Sequence, residues 1–386
     1  MKIFILPAAY PDQKHPQKHI FVYEQAKALA KLGHEIIILH VSLLPSIQLL
    51  SKTNRNIEEH DDGFAKRYTI SCKTFWEKKY PRLNRDLFVK KARRLFDYAL
   101  EREGRPDIVY AHFSCWAGYA ASCICKEKKL PLVTLEHGSM MLKTTWKKCV
   151  LAGVMKTVVD SDRFLCVSQG LKDSLRAKLG KDKEITVVPN MIDDRFTYQE
   201  KPEKEGFVFL AIGNLFDHKG FGLLIDAFVD AFPAEAAVTL RIGGDGPERN
   251  RLMEKVHQKG RETQIKFLGR LIREQTVEEY IYCDCFVLPS RFETFGLVYR
   301  EALATGRPII TTDHGGFNDD DWHDEYGYKI PVDDQTALTN ALKNMVTEHN
   351  TFSGKTMSEL CLHDCAAKVI SKKIADILED AKKKYD

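Results

Sequence analysis

The chain has 386 residues, 44% hydrophobic and 29% charged, with a net charge of +4. That length supports two domains with full cores, and the composition is that of an ordinary soluble fold. No apolar run reaches the ~20 residues that a bilayer-spanning helix needs, and the start, MKIFILPAAYPD, meets Pro7, Tyr10 and Pro11 before a signal peptide's apolar region is complete.

The ten cysteines are scattered, with close pairs at Cys123/Cys125, Cys283/Cys285 and Cys361/Cys365, which points to a reduced cytoplasmic protein rather than a disulfide framework. The cluster around Cys361, His363 and Cys365 lacks a second ligand group, so no zinc site is expected. The net charge hides an asymmetry. Residues 1–190 hold 33 Lys+Arg against 20 Asp+Glu, a net of +13; residues 191–386 hold 25 against 34, a net of −9. Such a split suggests different partners for the two halves, and a basic half suits an anionic membrane, a phosphorylated lipid or nucleic acid.

In chain order, residues 2–6 read as a buried strand and residues 8–19 as a polar, Pro-rich loop. Phe21, Ala26, Leu29 and Ala30 give residues 21–32 helical spacing, ended by Gly33, and residues 35–41 form the next strand. This βαβ opening has no G-x-G-x-x-G, which argues against a dinucleotide dehydrogenase. Residues 43–62 are expected to be an irregular polar loop. Residues 82–103 are expected to form a basic helix packed through Leu83, Leu87, Leu95 and Tyr98. Strands follow at 107–111, with His112 at the exit, and at 131–135, followed by Glu136-His137-Gly138. Residues 140–156 combine Met, Leu, Trp and Val with Lys, which suits an interfacial amphipathic helix or a helix packed inward with its Lys in solvent. Ser168 is placed to cap a helix. After a strand at 185–188, residues 189–205 read as the interdomain linker.

The second half restarts with a strand at 207–212 and the loop Gly213-Asn214-Leu215-Phe216-Asp217-His218-Lys219-Gly220. Strands at 238–242 and 265–268 exit into Gly243–Pro247 and Gly269-Arg270. The acid cluster Asp319, Asp320, Asp321, Asp324 and Glu325 reads as a solvated loop, with a metal site as the alternative. The most informative stretch is FVLPSRFETFGLVYREALATGRPIITTDHGG, residues 286–316. A buried strand stops at Pro289, a polar loop follows, a helix begins near Gly296, Gly306 and Pro308 end it, and Ile309-Ile310 open another strand. In open α/β sheets ligands bind at the carboxyl end of such a strand. The helix start offers unpaired amides and a positive dipole end to a phosphate. Glu293 lies at the mouth and Glu301 along the flank, an arrangement that suits a nucleotide-sugar, or equally a surface helix with two solvated carboxylates.

Glu293-x7-Glu301, with PS before it, FGL inside it and ALATGRPII after it, resembles the signature of family 4 retaining glycosyltransferases. The opening of the chain and the loop around Lys219 are similar to that family too. The resemblance implies the α/β GT-B architecture: two Rossmann-like, doubly wound domains facing across a cleft, residues 1–190 for the acceptor and 191–369 for the nucleotide-sugar donor, with the C-terminal helix at about 370–386 crossing back. It implies that Glu293 and His137 touch the donor sugar, that Lys219 meets the donor phosphates, that Glu301 holds the ribose hydroxyls, and that Gly296, Leu297 and Val298 hold the diphosphate through their amides. Thr294 and Phe295 lie in the same loop, and Arg270 is at the exit that cradles the base. Departures are His19, Met191 and Asn214 where relatives often carry Gly, Gly and Arg. No metal or other cofactor is implied.

The expected function is therefore retaining transfer of a hexosyl-type sugar from a nucleotide diphosphate-sugar. The expected acceptor is a lipid-linked saccharide of bacterial surface polysaccharide synthesis. The enzyme would be cytoplasmic, at the inner membrane face through its basic half, with no nucleic acid as partner. The alternatives are a catalytically silent relative that binds sugar or scaffolds a membrane complex, a GT-B epimerase or phosphorylase-like enzyme, and, from the basic half alone, a nucleic-acid binder.

Overall fold

The computed structural model describes residues 1–12, 18–44, 56–74, 80–142, 148–180, 184–317 and 322–385. The chain divides into two compact units, Met1–Met191 with Ala367–Asp386, and Ile192–Ala366.

The first unit contains β1 (Lys2–Pro7), α1 (Ile20–Lys31), β2 (Glu35–Leu44), β3 (Glu58–Asp61), β4 (Lys66–Lys73), α2 (Pro81–Glu103), β5 (Ile108–His112), α3 (Tyr119–Lys128), β6 (Leu132–Glu136), α4 (Lys148–Asp160), β7 (Arg163–Cys166), α5 (Gln169–Leu179) and β8 (Thr186–Val187). The sheet order is β3-β4-β2-β1-β5-β6-β7-β8, parallel except for the β3–β4 pair. Strands β1, β5 and β6 are apolar and buried on both faces, as strands covered by helices on either side must be. Phe4, Leu39, Phe88, Leu95, Phe96 and Val109 belong to one core beneath α2. Ser168 caps α5, its hydroxyl accepting from the Leu171 amide at 3.2 Å.

Three expectations need correction here. The stretch 43–62 is not wholly irregular: it carries the end of β2 and the edge strand β3, while its residues 45–55 lie outside the described residues. Strand β3 reads Glu-Glu-His-Asp and buries almost nothing, so it left no apolar period; it is specified by pairing, Asp61 opposite Lys66, and by the Arg67–Asp62 ion pair that closes the turn. Helix α2 packs through Asn84, Phe88, Ala92, Leu95, Phe96 and Ala99, with Leu87 and Tyr98 partly buried against the same core; of the four expected residues only Leu83 is exposed. The region 140–156 is a short 3-10 turn, Ser139–Leu142, and then α4, with residues 143–147 outside the described residues.

The second unit contains β9 (Phe207–Ile212), α6 (Phe221–Ala231), β10 (Val238–Gly243), α7 (Arg249–Gln258), β11 (Ile265–Gly269), α8 (Arg273–Tyr282), β12 (Cys285–Leu288), α9 (Leu297–Ala304), β13 (Ile309–Thr312), β14 (Gly327–Ile330), α10 (Gln335–Glu348) and α11 (Gly354–Cys365). Its sheet order is β11-β10-β9-β12-β13-β14, all parallel. Numbered within the unit this is 3-2-1-4-5-6, the doubly wound dinucleotide-fold order. The last helix, α12 (Ala367–Lys382), packs on the first unit: Lys373 donates to the Val187 carbonyl, and Arg163 and Lys382 pair with Asp380 and Asp107. No described helix is long and apolar enough to cross a membrane. All ten cysteines are free thiols.

Candidate active site

In the second sheet the strand order reverses between β9 and β12, so the loops leaving these two strands diverge and leave a crevice at the switch point. Residues 213–220 leave β9 and residues 289–296 leave β12. The loops are joined at several points. The Arg291 amide donates to the His218 carbonyl at 2.8 Å, and His218 stacks on Phe292 with ring centres 4.5 Å apart. Gly220 takes φ +74°, and a Cβ there would lie 2.2 Å from the Pro289 carbonyl oxygen, so only glycine lets the loops approach this closely.

Lys219 and Glu293, the central charges of the two loops, meet at this junction. Lys219 Nζ donates to Glu293 Oε1 at 2.5 Å, and Ser290 Oγ donates to the same oxygen at 2.9 Å. Both side chains are mostly enclosed, 16% and 12% exposed. Burial works against the Glu293 charge, but Lys219, His314 and the hydrogen bonds to Lys219 and Ser290 outweigh it and hold the carboxyl below its usual range. His314 is itself fixed: the Gly316 amide donates to its Nδ1 at 2.9 Å, so its proton sits on Nε2, 3.0 Å from Thr311 Oγ1. Burial lowers its pKa to about 4.

Helix α9 begins directly after this loop. Gly296 precedes it with φ +72°, and a Cβ there would lie 2.7 Å from the Tyr299 ring. That steric wall, together with the left-handed backbone, gives a structural reason for glycine alongside the expected approach of an anion. Arg300, buried, lies 3.8 Å from the Phe295 ring centre and 4.0 Å from that of Phe317, and it donates to the carbonyls of Phe295 and Gly316. It thereby fixes the loop that carries Glu293 and Thr294 against the one that carries His314. Leu297 and Val298 form the first turn of α9, both half-buried.

Glu301 is placed differently from the solvated flank carboxylate that the spacing also allowed. It is 2% exposed and accepts from Arg273 Nη1 at 2.6 Å, with the Tyr280 hydroxyl 3.4 Å from its other oxygen. Tyr280 also donates to the Val298 carbonyl at 2.8 Å, which ties Glu301 to the start of α9. Arg273 continues to Asp193, 3.5 Å from its Nε, and lies over the Phe196 ring. Burial raises the Glu301 pKa in spite of Arg273. Asn214 is exposed in the β9 loop, and Arg270 is an exposed side chain whose nearest acid is Asp245 at 3.8 Å. Neither makes a hydrogen bond or ion pair with Lys219 or Glu293. Asp324 and Glu325 form an exposed turn, while Asp319, Asp320 and Asp321 lie outside the described residues. Among the described residues no three His, Cys, Asp or Glu side chains gather as a metal-binding group.

In the first unit His137 follows β6 and lies beside His112, the last residue of β5, with His137 Nε2 and His112 Nδ1 3.0 Å apart. Phe21 and Phe113 complete the aromatic surround, and His19 packs on both phenyl rings. The backbone of this turn is pinned by Glu136. Its fully buried carboxylate accepts from the His137 and Gly138 amides at 2.9 and 2.6 Å and from the Ser114 amide at 2.8 Å. Burial nevertheless raises its pKa.

Two family models match the chain in series: Glycosyltransferase Family 4 over residues 19–196, and Glycosyl transferases group 1 over residues 193–353. The chain belongs to the family 4 glycosyltransferases. A Bacillus subtilis (strain 168) glycosyltransferase named for teichuronic acid biosynthesis, TuaC, is 26% identical over 333 residues, 82% of each chain. Among solved structures, sucrose-phosphate synthase of Thermosynechococcus elongatus superposes with a TM-score of 0.79 at 17% identity, covering 98% of this chain and 99% of that one. HepE of Anabaena in complex with UDP-glucose gives 0.71 at 17% identity over 98% and 99%. The two-unit α/β architecture of this glycosyltransferase is thus the GT-B fold.

Ser290, His314, Arg273, Tyr280 and Arg300 have no role legible in the sequence, and His112 shows there only as the residue at a strand exit. His314 sits just before the Gly315-Gly316 turn, and Ser290 sits in the PS pair that belongs to the family signature but carries no assigned role there. Arg273 and Tyr280 lie on α8, whose contact with Glu301 depends on tertiary packing that no local pattern carries.

Proposed function

We propose that this glycosyltransferase moves a hexosyl-type sugar, with retention of anomeric configuration, from a nucleotide diphosphate-sugar to a saccharide acceptor. The observation that carries the reading is the Lys219–Glu293 pair at the switch point, next to the start of α9. A cation, a carboxylate and a helix N-terminus together suit a ligand with a diphosphate on one side and hydroxyls on the other. In this reading Lys219 and the amides of Gly296, Leu297 and Val298 stabilise the leaving diphosphate, and no metal ion is required. Glu293 accepts from hydroxyls of the transferred sugar, and His137 donates a further contact to it. Glu301, kept in place by Arg273 and Tyr280, takes the ribose hydroxyls. Asn214, Thr294, Phe295 and Arg270 border the nucleotide. Retention is supported by the resemblance of the Glu293-x7-Glu301 stretch to retaining enzymes. The likeness to HepE, solved with UDP-glucose, supports the donor class.

The acceptor in this reading is a lipid-linked saccharide of surface polysaccharide assembly. The relative named for teichuronic acid biosynthesis supports it, and the net positive first half suits an anionic inner membrane face. The first test is thermal unfolding against a panel of nucleotides and nucleotide-sugars. A ligand at 100 times its dissociation constant stabilises by about 2.7 kcal/mol. One nucleotide diphosphate and its sugars should shift the midpoint, the shift should survive EDTA, and Glu301→Ala should lose it. Early product from the active sugar, examined by proton NMR, should keep the donor's anomeric configuration. A panel without any shift, or an inverted product, refutes the donor site or the stereochemistry respectively.

A further inference from the structure

We propose that Phe216, His218 and Phe292 form a platform on which a pyranose ring of the acceptor saccharide stacks, with Asp217, Arg291 and Asp333 meeting its hydroxyls. All six residues belong to the second unit. The inference goes beyond the donor site, and it rests on the proposed function only for the saccharide class of the acceptor.

The three rings make a ladder with His218 as its middle rung. Its centre lies 4.5 Å from that of Phe292 and 5.9 Å from that of Phe216, and the planes are within 9° and 13° of parallel. His218 and Phe292 are half-buried, whereas Phe216 is 43% exposed; among the described residues it is the one exposed phenylalanine. It does not sit on a loose loop tip. Leu215, its neighbour, is fully buried, donates its amide to the Asp245 carbonyl at 3.0 Å and accepts from the Glu248 amide at 3.1 Å. The Phe216 carbonyl accepts from the Lys219 amide at 3.0 Å. A rigid backbone thus keeps an apolar ring partly in water, which folding alone does not reward. Burial and the adjacent Lys219 lower the His218 pKa, so the middle rung is uncharged at pH 7.

The edge of the platform is polar and fixed. Arg291 Nε donates to both Asp333 oxygens at 2.8 and 3.0 Å, and its Nη1 donates to Asp217 Oδ2 at 2.7 Å, while all three residues stay exposed. Arg251 reaches Asp217 only at 3.8 Å and donates to Glu248 at 2.6 Å. Of these five side chains three are carboxylates (Asp217, Asp333 and Glu248) and two are guanidiniums. Such a rim matches an anionic lipid headgroup or a phosphate poorly. It matches neutral hydroxyls, which donate to carboxylates and accept from guanidiniums. A pyranose has both halves of the complement: its axial C–H bonds form an apolar face that lies flat on an aromatic ring, and its hydroxyls project at the edge of that face. The platform is also continuous with the donor loops. Phe216 and His218 stand three and one residues before Lys219, and Phe292 directly precedes Glu293.

The test is saturation-transfer difference NMR on the full-length protein, with cellotetraose, maltotetraose, chitotetraose and mannotetraose as probes. Irradiating the aromatic protons of the protein should saturate ring C–H protons of at least one probe, most strongly on one face of the sugar. Phe216→Ser should weaken that probe's binding about tenfold, the scale of one aromatic anchor in a small interface, with the thermal midpoint unchanged. Phe216→Trp keeps a flat ring and should bind within about threefold of the parent. Asp217→Ala removes one rim carboxylate and should weaken binding about threefold. Met253→Ser removes another exposed apolar side chain of the second unit and should leave the saturation as it is. UDP, GDP and ADP should not displace the probe. No saturation from any probe overturns the inference. So does parental affinity in Phe216→Ser or Asp217→Ala, an equal loss in the Ser and Trp variants at Phe216, or a loss in Met253→Ser. Displacement by a nucleotide overturns it too, since the platform would then stack a nucleobase. The donor site fails separately: a nucleotide panel without a thermal shift removes it and leaves the probe result standing.

Discussion

Replacing Lys219 by Met separates what the Lys219–Glu293 pair does for the fold from what it does for transfer. At 2.5 Å and an effective dielectric near 20, the attraction between the two charges is roughly 6–7 kcal/mol before desolvation is counted. Removing one partner of a buried pair costs about 3–5 kcal/mol net, because the other charge is left uncompensated. Ser290 still donates to Glu293, so the lower end applies, about 3 kcal/mol. At about 2–4 °C per kcal/mol for a unit of this size, the apparent midpoint should fall by roughly 6–12 °C at pH 7. Adding Glu293→Gln to Lys219→Met removes the stranded charge and should restore most of that loss. Under the proposed function it should not restore activity, since a donor phosphate would lose a charge-assisted hydrogen bond worth about 1.5–3 kcal/mol, or roughly 10–150-fold in kcat/KM. The pH dependence adds a sign. In the parent, Glu293 is held below its unfolded value, so its contribution is complete above pH ~4.3 and is lost as pH falls through the depressed folded value. In Lys219→Met burial prevails, the folded pKa rises above the unfolded one, and acidification favours the fold. The stability gap between parent and variant should therefore narrow as pH falls from 7 towards 4. Equal midpoints for the single and double variants at pH 7, or a gap that widens on acidification, would refute the pairing as drawn here.

Three smaller predictions follow from the same geometry. Gly296→Ala forces a Cβ into the left-handed backbone 2.7 Å from the Tyr299 ring, which is anchored by its hydroxyl to the Leu288 carbonyl; denaturant titration should show a loss of about 1–3 kcal/mol. Glu301→Ala strands the Arg273 guanidinium beside Asp193 and should cost about 3–5 kcal/mol. Glu301→Gln should cost less by urea titration yet lose the nucleotide-induced shift just as fully. Ser168→Ala removes the α5 cap and should cost about 1 kcal/mol with kcat/KM unchanged, a control for stability loss away from the site.

The parts of the fold that follow from local chemistry could be read from the sequence. Buried runs such as residues 286–288, the Pro289 stop and the Gly296 and Gly306 helix ends fix a strand–loop–helix unit with the loop at the right end of the strand. The family pattern then attached roles to Glu293, Glu301 and Lys219. What the sequence did not carry was pairing at a distance. The polar edge strand β3 has no apolar period because it buries no face. On α2 the expected Leu87, Leu95 and Tyr98 do pack on the core while Leu83 does not, because one turn of a helix has several apolar positions and only tertiary contact selects among them. Arg273 reads as an ordinary residue in a charged stretch, and its partner Glu301 lies 28 positions away.

The same topological rule explains why the chemistry gathers where it does in each unit. Lys219 and Glu293 are 74 residues apart, yet β9 and β12 are adjacent and parallel, with Cys285 opposite Phe209. Their carboxyl-terminal loops must therefore begin side by side. In the first unit β5 and β6 are adjacent with His112 opposite Leu135, so a residue two positions further along, His137, arrives beside the His112 ring. The sheets supply position, and the loops supply charge and hydrogen-bonding groups at a cost to stability. Glu293 and Glu301 are carboxylates held in enclosed surroundings, and His112 and His137 leave ring nitrogens unpartnered. Groups of this kind are expensive to bury without a partner. A ligand that completes their hydrogen bonds should therefore stabilise the unit that holds it, so under the proposed function nucleotide-induced stabilisation should report on Glu301 and Lys219 more directly than turnover does.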